Sequence, residues 1–263
     1  KDLKLQGNDD DSYFAKKLAN QLGFTHHEMY IDSQITSLLP KMIYHLDEPL
    51  SDPAAINTYL ISMAAKEKGI RVLLNGMGAD EVFGGYDRYL AAPVMQKLNP
   101  FLGLARSGLK IAGQQSFGNT RKINRVGSQL SSKASLGARY SSILSLAQPH
   151  ELSTLLNPNF QINLVEVASL KQFTTGNISS YDRMIRSDLG AYLPGDLLVK
   201  VDIATMANSL ELRSPMLDVN VVEWGISLPR KYKIKGFETK HILKDVARSL
   251  MPANLIDRPK MGF

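Results

Sequence analysis

The feature that most limits what this chain can become is the run IRVLLNGMGADEVFGGYDRY at residues 70–89. It opens with Val72-Leu73-Leu74, a compact run of β-branched and large apolar residues that predicts a buried parallel strand. The run breaks at Asn75-Gly76-Met77-Gly78, where glycine lets the backbone turn sharply and approach a ligand with no Cβ in the way. Ala79, Asp80 and Glu81 follow, where a helix should start. Strand, glycine turn and helix N-terminus form a common phosphate-binding geometry, because free N–H groups and the helix dipole face the anion. An aspartate there opposes an anion unless a cation lies between, so Asp80 points to Mg2+ bridging to phosphates. Gly84-Gly85 closes the short helix before Tyr86. The same residues also fit a plain tight turn with acids favoured in a first helical turn, and spacing alone leaves both readings open.

The surrounding pattern alternates helix and strand. Residues 12–22 read as a helix with Phe14, Leu18 and Leu22 on one side, Gly23 as its stop and Asp9, Asp10 and Asp11 as capping charge. Residues 24–31 read as a strand, which would send His26 and His27 to opposite faces and rule them out as a chelating pair. A second helix is predicted over 33–46, a proline-bounded loop over 49–53, and a helix over 54–68 stopped by Gly69. This order argues for a parallel α/β layer. Across 97–135 Gly, Ser, Asn and Gln become frequent and periodicity weakens, as in a connection between an α/β part and a helical part. Helices are then predicted over 136–146, 164–173, 180–193, 219–228 and 238–250. In the last, Ile242, Leu243, Val246 and Leu250 form an apolar stripe that reads as core.

Composition narrows the classes. The chain of 263 residues is long enough for a well-buried core. It has no apolar run of about 18 residues, hence no predicted transmembrane helix, and its first residues, KDLKLQGNDDD, lack the apolar centre of a secretory leader. Without cysteine there is no disulfide or Cys-based zinc site, and cytoplasmic residence is compatible. The net charge of +6 invites a nucleic-acid reading, but the basic residues are scattered among acids. General solubility and a positive pocket for phosphates account for the charge better, so neither nucleic acid nor membrane is expected as a partner.

Residues 74–86 resemble the signature L-S-G-x-G-[SA]-D-E-x-F-x-G-Y of the asparagine synthetase synthetase domain, shared with β-lactam synthetases. Asn75 stands where that signature has Ser. Met77 stands where asparagine synthetases often carry Glu or Asp and β-lactam synthetases Tyr. The resemblance recurs at Leu46-Asp47-Glu48-Pro49 (L-D-E-P), at Lys240-His241-Ile242-Leu243-Lys244 (K-x-[IL]-L-[RK]) and at residues 258–263 (R-x-K-x-G-F). Within 197–218 it takes in Lys200 and Asp202 (L-x-K-x-D) and then Glu211, Arg213 and Pro215 (S-x-E-x-R-x-P-x-L-D). Residues 97–180 carry no match.

The resemblance implies an α/β fold with a parallel sheet of the adenine-nucleotide α-hydrolase (ATP-pyrophosphatase) type, truncated at its N-terminus, with a largely helical C-terminal part. Residues 1–96 would form the partial nucleotide-binding core, 97–179 a helical or irregular connection, and 180–263 the helical part completing the site. It implies an ATP-dependent carbon–nitrogen ligase of asparagine biosynthesis, an amidotransferase in its full form. A carboxylate, aspartate by default, would be activated as an acyl-adenylate and then amidated by ammonia. Asn75, Gly76, Met77, Gly78 and Leu3 would contact the nucleotide, Asp80 would hold Mg2+, and Lys240 would place positive charge at the phosphorus. Glu211 matches the acid of a Tyr–Glu base pair, but Met77 cannot play the tyrosine's part, and a structural pairing with Arg213 is the other reading. Glu48, Lys200 and Asp202 are candidate substrate residues, with Lys200 and Asp202 alternatively pairing with each other. ATP and Mg2+ are the expected cofactors. The family's S-G-G-x-D-S loop and its glutaminase domain, the source of ammonia, do not occur here, so the chain reads as a fragment unable to complete the reaction alone. The rival is a non-catalytic relative that keeps the fold for nucleotide binding or assembly.

Overall fold

The computed structural model of the chain describes residues 11–29, 33–47, 52, 54–90, 140, 144, 154 and 177–257. Helices predominate among them, with one small parallel sheet. In order these are α1 (Asp11–Leu22), a 3-10 turn (Ser33–Leu38), α2 (Leu39–Leu46), α3 (Ala54–Glu67), β1 (Val72–Leu74) and α4 (Ala79–Phe83). After them come α5 (Ser180–Ser187), a π-helical stretch (Asp188–Leu198), α6 (Val199–Met206), β2 (Glu211–Arg213) and a 3-10 turn (Pro215–Leu217). The last are α7 (Val219–Ser227), α8 (Arg230–Lys233), α9 (His241–Leu250) and α10 (Ala253–Ile256). No described helix is long and apolar enough to cross a membrane. The chain divides into two compact units, one from Lys1–Met77, Leu197–Val221 and Lys240–Phe263, the other from Gly78–Asp196 and Val222–Thr239.

In the first unit α6 packs on α2 and α3. Met42 and Leu46 of α2, Ala55 and Tyr59 of α3 and Ala204 of α6 form its buried apolar cluster. The amide of Asn208 donates to the carbonyls of Tyr59 (3.1 Å) and Ala204 (3.4 Å), which fastens the end of α6 to α3. Helix α3 stops at Gly69, whose φ of 75° is open to glycine and strained for other residues. There Ile70 N–H reaches back to the Ala65 carbonyl (3.1 Å) and sends the chain into β1.

The second unit is built on tyrosines. Tyr89, Tyr140, Tyr181, Met184, Ile185 and Ile234 form its buried cluster. Asp188 is fully buried there and accepts hydrogen bonds from the hydroxyls of Tyr89 and Tyr140 and from the Arg88 guanidinium (2.9 Å). That triple engagement meets the requirement that a buried charge be paired and hydrogen-bonded. Burial, followed by the nearby Asp188 charge, pushes the Tyr89 and Tyr140 hydroxyls far up, so they stay donors. Val82 and Phe83 of α4 are also buried, and Phe83 lies 6.1 Å from the Trp224 ring of α7.

Several expectations need correction. Residues 24–29 form no strand, and no strand partner for them exists among the described residues. β1 is parallel but not buried, with Val72 42% and Leu74 73% exposed; among the described residues its one strand partner is β2. β2 itself went unanticipated; its three residues are too short to show alternation. The helix expected over 180–193 runs on without a break to Met206 by widening into the π-helical stretch. Pro194, which has no N–H and clashes in an α-helical turn, lies inside that stretch. The helix expected over 238–250 starts only at His241, and its apolar stripe is not core, since Val246 and Leu250 are exposed and Ile242 and Leu243 half-buried. The helix expected over 164–173 and the connection at 97–135 lie outside the described residues, as does the helix over 136–146 apart from Tyr140 and Leu144, both helical.

Two measurements test the packing of the second unit. A Cβ on Gly225 would meet Val82 Cγ1 at 2.2 Å and the Phe83 ring at 3.3 Å. Gly225→Ala should therefore destabilise the protein by about 1–3 kcal/mol in urea unfolding. Lys233 is buried in α8, and desolvation lowers its ammonium to about 8. An unfolded lysine titrates near ~10.4, so between these values the unfolded chain holds a proton that the folded one has released. Stability should rise with pH across that window. Lys233→Met should flatten the rise and increase the urea midpoint at neutral pH; a slope that survives the substitution assigns it to another group.

Candidate functional site

In the first unit the site is built where β1 and β2 end together. The pairing is Val72 with Glu211, Leu73 with Leu212 and Leu74 with Arg213. Glu211 N–H donates to the Arg71 carbonyl (2.9 Å) and Asn75 N–H to the Arg213 carbonyl (3.0 Å), so the ladder continues to the edge of both turns. Beyond it the chains part into Asn75-Gly76-Met77 on one side and Ser214-Pro215 on the other. Pro215 begins a 3-10 turn and cannot donate to a ladder, which ends β2. The carboxyl ends of parallel strands are where open α/β sheets take ligands.

Asn75 governs the turn. Its Oδ1 accepts from Met77 N–H (3.2 Å), an Asx turn that shapes residues 75–77, and from the Ser214 hydroxyl (2.7 Å). Its Nδ2 is shielded from solvent and has no acceptor among the described residues. Gly76 is exposed, and a Cβ built on it meets nothing within 4 Å among the described residues. Met77 is half-buried.

Gly78 and Asp80 belong to the second unit. Gly78 caps α4 at a φ of 86° and Gly84 ends it at 71°. The N–H groups of Gly84 and Gly85 both bond the Asp80 carbonyl, the latter at 2.8 Å. This closes the helix as the glycine pair predicts. The Asp80 side chain is half-buried, while Glu81 is buried and accepts a hydrogen bond from the Tyr86 hydroxyl. Desolvation raises the Glu81 carboxyl, with the Tyr86 bond working against it. The two acids therefore part company, and Glu81 is held inside the unit. No group of three or more His, Cys, Asp or Glu suited to a metal exists among the described residues. Magnesium commonly binds through one or two carboxylates with phosphate and water oxygens, so Asp80 fits it as a single protein ligand.

The remaining candidates are dispersed. Glu211 is exposed on β2 and takes a hydrogen bond from Arg213 Nε at 2.8 Å, which is the structural pairing weighed from sequence. That bond, with the Arg213 charge, holds the Glu211 carboxyl below its usual range. Lys240 does not lie inside a helix. It is the N-cap of α9 at a φ of 53°, half-buried, and its carbonyl accepts from Lys244 N–H at 2.9 Å. His241 turns to Asp245, with Nε2 3.3 Å from Oδ2. Lys200 is only 3% exposed and pairs with Asp52 rather than with Asp202, which is exposed in the first turn of α6. Asp52 also receives Ala54 N–H at 2.9 Å, so it anchors α3 and Lys200 together. Leu3 and Glu48 lie outside the described residues.

Two partners escaped the sequence. Ser214 is 139 residues from Asn75, and only the parallel ladder brings them together. Asp52 is 148 residues from Lys200, within the stretch expected as a proline-bounded loop. Replacing Asp52 with Asn keeps an acceptor for Ala54 N–H but leaves the Lys200 ammonium without its counter-charge. With Asp52 part-exposed, Asp52→Asn should lower the unfolding free energy by about 1–3 kcal/mol in urea melts.

Comparison with known proteins gives a consistent set of relatives. The family model described as asparagine synthase matches residues 3–263. The chain is 34% identical over 256 residues to asparagine synthetase [glutamine-hydrolyzing] 1 of Bacillus subtilis, covering 95% of this chain and 39% of that protein. It is 33% identical over 252 residues to a putative asparagine synthetase [glutamine-hydrolyzing] of Mycobacterium bovis, covering 93% of this chain and 37% of that protein. A shorter match, 36% identical over 88 residues, joins it to asparagine synthetase B of Escherichia coli, covering 32% of this chain and 16% of that protein. The chain thus spans under two fifths of the length of the first two, at 39% and 37%.

Proposed function

Since this chain belongs to the asparagine synthase family, we propose that it forms the part of an asparagine-synthetase-like ligase that activates a carboxylate with ATP for amidation. The observation that carries the reading is the turn at the ends of β1 and β2, where Asn75 keeps a sheltered donor and no described residue crowds Gly76. In this reading β1 and β2 belong to a larger parallel sheet of the ATP-pyrophosphatase type. Asn75, Gly76 and Met77 line the nucleotide.

A carboxylate oxygen, aspartate's by default, bonds to the α-phosphorus, and the bond to the pyrophosphate oxygen breaks, so pyrophosphate leaves with the electron pair. Ammonia nitrogen then bonds to the acyl carbon, the carbon–oxygen bond to AMP breaks, and a proton is released. The obstacle in the first step is charge, since carboxylate and phosphate are both anions. Lys240 supplies fixed positive charge. Magnesium held by Asp80 would neutralise phosphate oxygens. Glu211 stays with Arg213 as an ionised carboxylate, and Lys200 keeps α3 and α6 in place through Asp52. Ammonia would come from a glutaminase part such as the relatives' names imply.

The test is aspartate-dependent exchange of pyrophosphate into ATP by this chain placed within a protein of the relatives' full length, since the chain alone is expected to be inactive. Exchange is expected in the wild type, falling by ~100-fold or more in Lys240→Ala. No exchange with any carboxylate would overturn the ligase reading. Met77, in the place where asparagine synthetases often carry an acid, favours a second reading of nucleotide binding without ligation. Magnesium-dependent ATP binding with no exchange is its signature.

A further inference from the structure

The orientation of the Asn75 amide is fixed by chemistry. Met77 N–H can only donate, so the atom 3.2 Å from it must be the amide oxygen. The Ser214 hydroxyl, 2.7 Å from the same oxygen, therefore donates as well. A turned-over amide would set two donors against each other. With Oδ1 held from two directions, the NH2 group is the remaining face, and it is sheltered from solvent with no acceptor among the described residues. Buried donors in folded proteins are almost always satisfied, so an unsatisfied one beside an open turn marks where an acceptor arrives from outside. No described residue comes within 4 Å of a Cβ built on Gly76, the next residue.

We propose that Ser214 is a positioning residue that locks the Asn75 amide so that Nδ2 donates to an anionic oxygen of the bound ligand, the α-phosphate of the nucleotide. The inference rests on the ligase reading above and adds to it the atom, the ligand group and the partner. A serine hydroxyl, which the family signature has at position 75, is a single donor on a free rotor. An amide brings two N–H groups in a rigid plane, useful only when its plane is held. Ser214 holds it, from the far strand of the ladder. A charged oxygen is the acceptor that gains most from such a donor. The substrate carboxylate offers the same chemistry.

Asn75→Asp separates the two faces of the side chain. It keeps an oxygen for Met77 N–H and Ser214 and turns the free donor into a carboxylate oxygen. Binding of AMP, adenosine and aspartate to the intact protein is measured by calorimetry for the wild type, Asn75→Asp, Ser214→Ala and Ser214→Thr. Asn75→Asp should weaken AMP by ~10–100-fold while adenosine stays within about twofold. Ser214→Ala should weaken AMP by a smaller factor and Ser214→Thr restore it, again with adenosine unmoved. A loss confined to aspartate would keep the donor and overturn the phosphate assignment. AMP and aspartate binding equal to wild type in Asn75→Asp would overturn the inference and leave the ligase reading standing. A wild-type protein that binds neither AMP nor ATP would overturn both.

Discussion

The parallel ladder between Val72–Leu74 and Glu211–Arg213 closes a loop whose side-chain partners, Asn75 and Ser214, are 139 residues apart. Joining ends that far apart costs about 4 kcal/mol in chain entropy. Three paired residues on exposed strands do not supply that alone. The closure depends on the helices that flank it, since α6 leads into β2 through a short turn at residues 207–210 and is packed on α2 and α3 through Met42, Tyr59 and Ala204. The pairing of buried Lys200 with part-exposed Asp52 and the Asn208 bonds to α3 and α6 add polar constraints that fix where α6 ends. The turn that carries Asn75 is thus positioned from both strands at once.

The second unit solves a different problem. A charge at Asp188 is taken out of water, and two tyrosine hydroxyls and an arginine meet it there. Arg88 in turn lies 3.7 Å from the Tyr86 ring centre, and Tyr86 donates to Glu81 in α4. A chain of polar contacts leads from the buried aspartate to the helix that bears Asp80. Such a network is stabilising only when all of it is satisfied, which makes the short α4 more rigid than five residues would be by themselves.

Legibility followed the range of the forces involved. The glycine stops at 69 and 84, the short helix after the turn and the parallel sense of β1 were visible in sequence, because they depend on neighbours in the chain. Residues 24–29 had strand chemistry but no partner to complete it among the described residues. The stripe of α9 had helical spacing, yet spacing says which residues share a face and not whether anything covers it. Lys240 looked like a helical residue, and its left-handed backbone has no signal in a sequence that places lysine there. Around the turn, Asn75 was singled out from its motif, whereas Ser214 and the choice of Asp52 for Lys200 became visible only through tertiary structure.

The one tryptophan of the chain, Trp224, is half-exposed and stands over Phe83 at the end of α4. Its indole emission is therefore an intrinsic optical readout for that short helix, undiluted by other indoles. Events that tighten or loosen the Asp80 segment would change the polarity around this fluorophore, giving stopped-flow access to them without any attached dye.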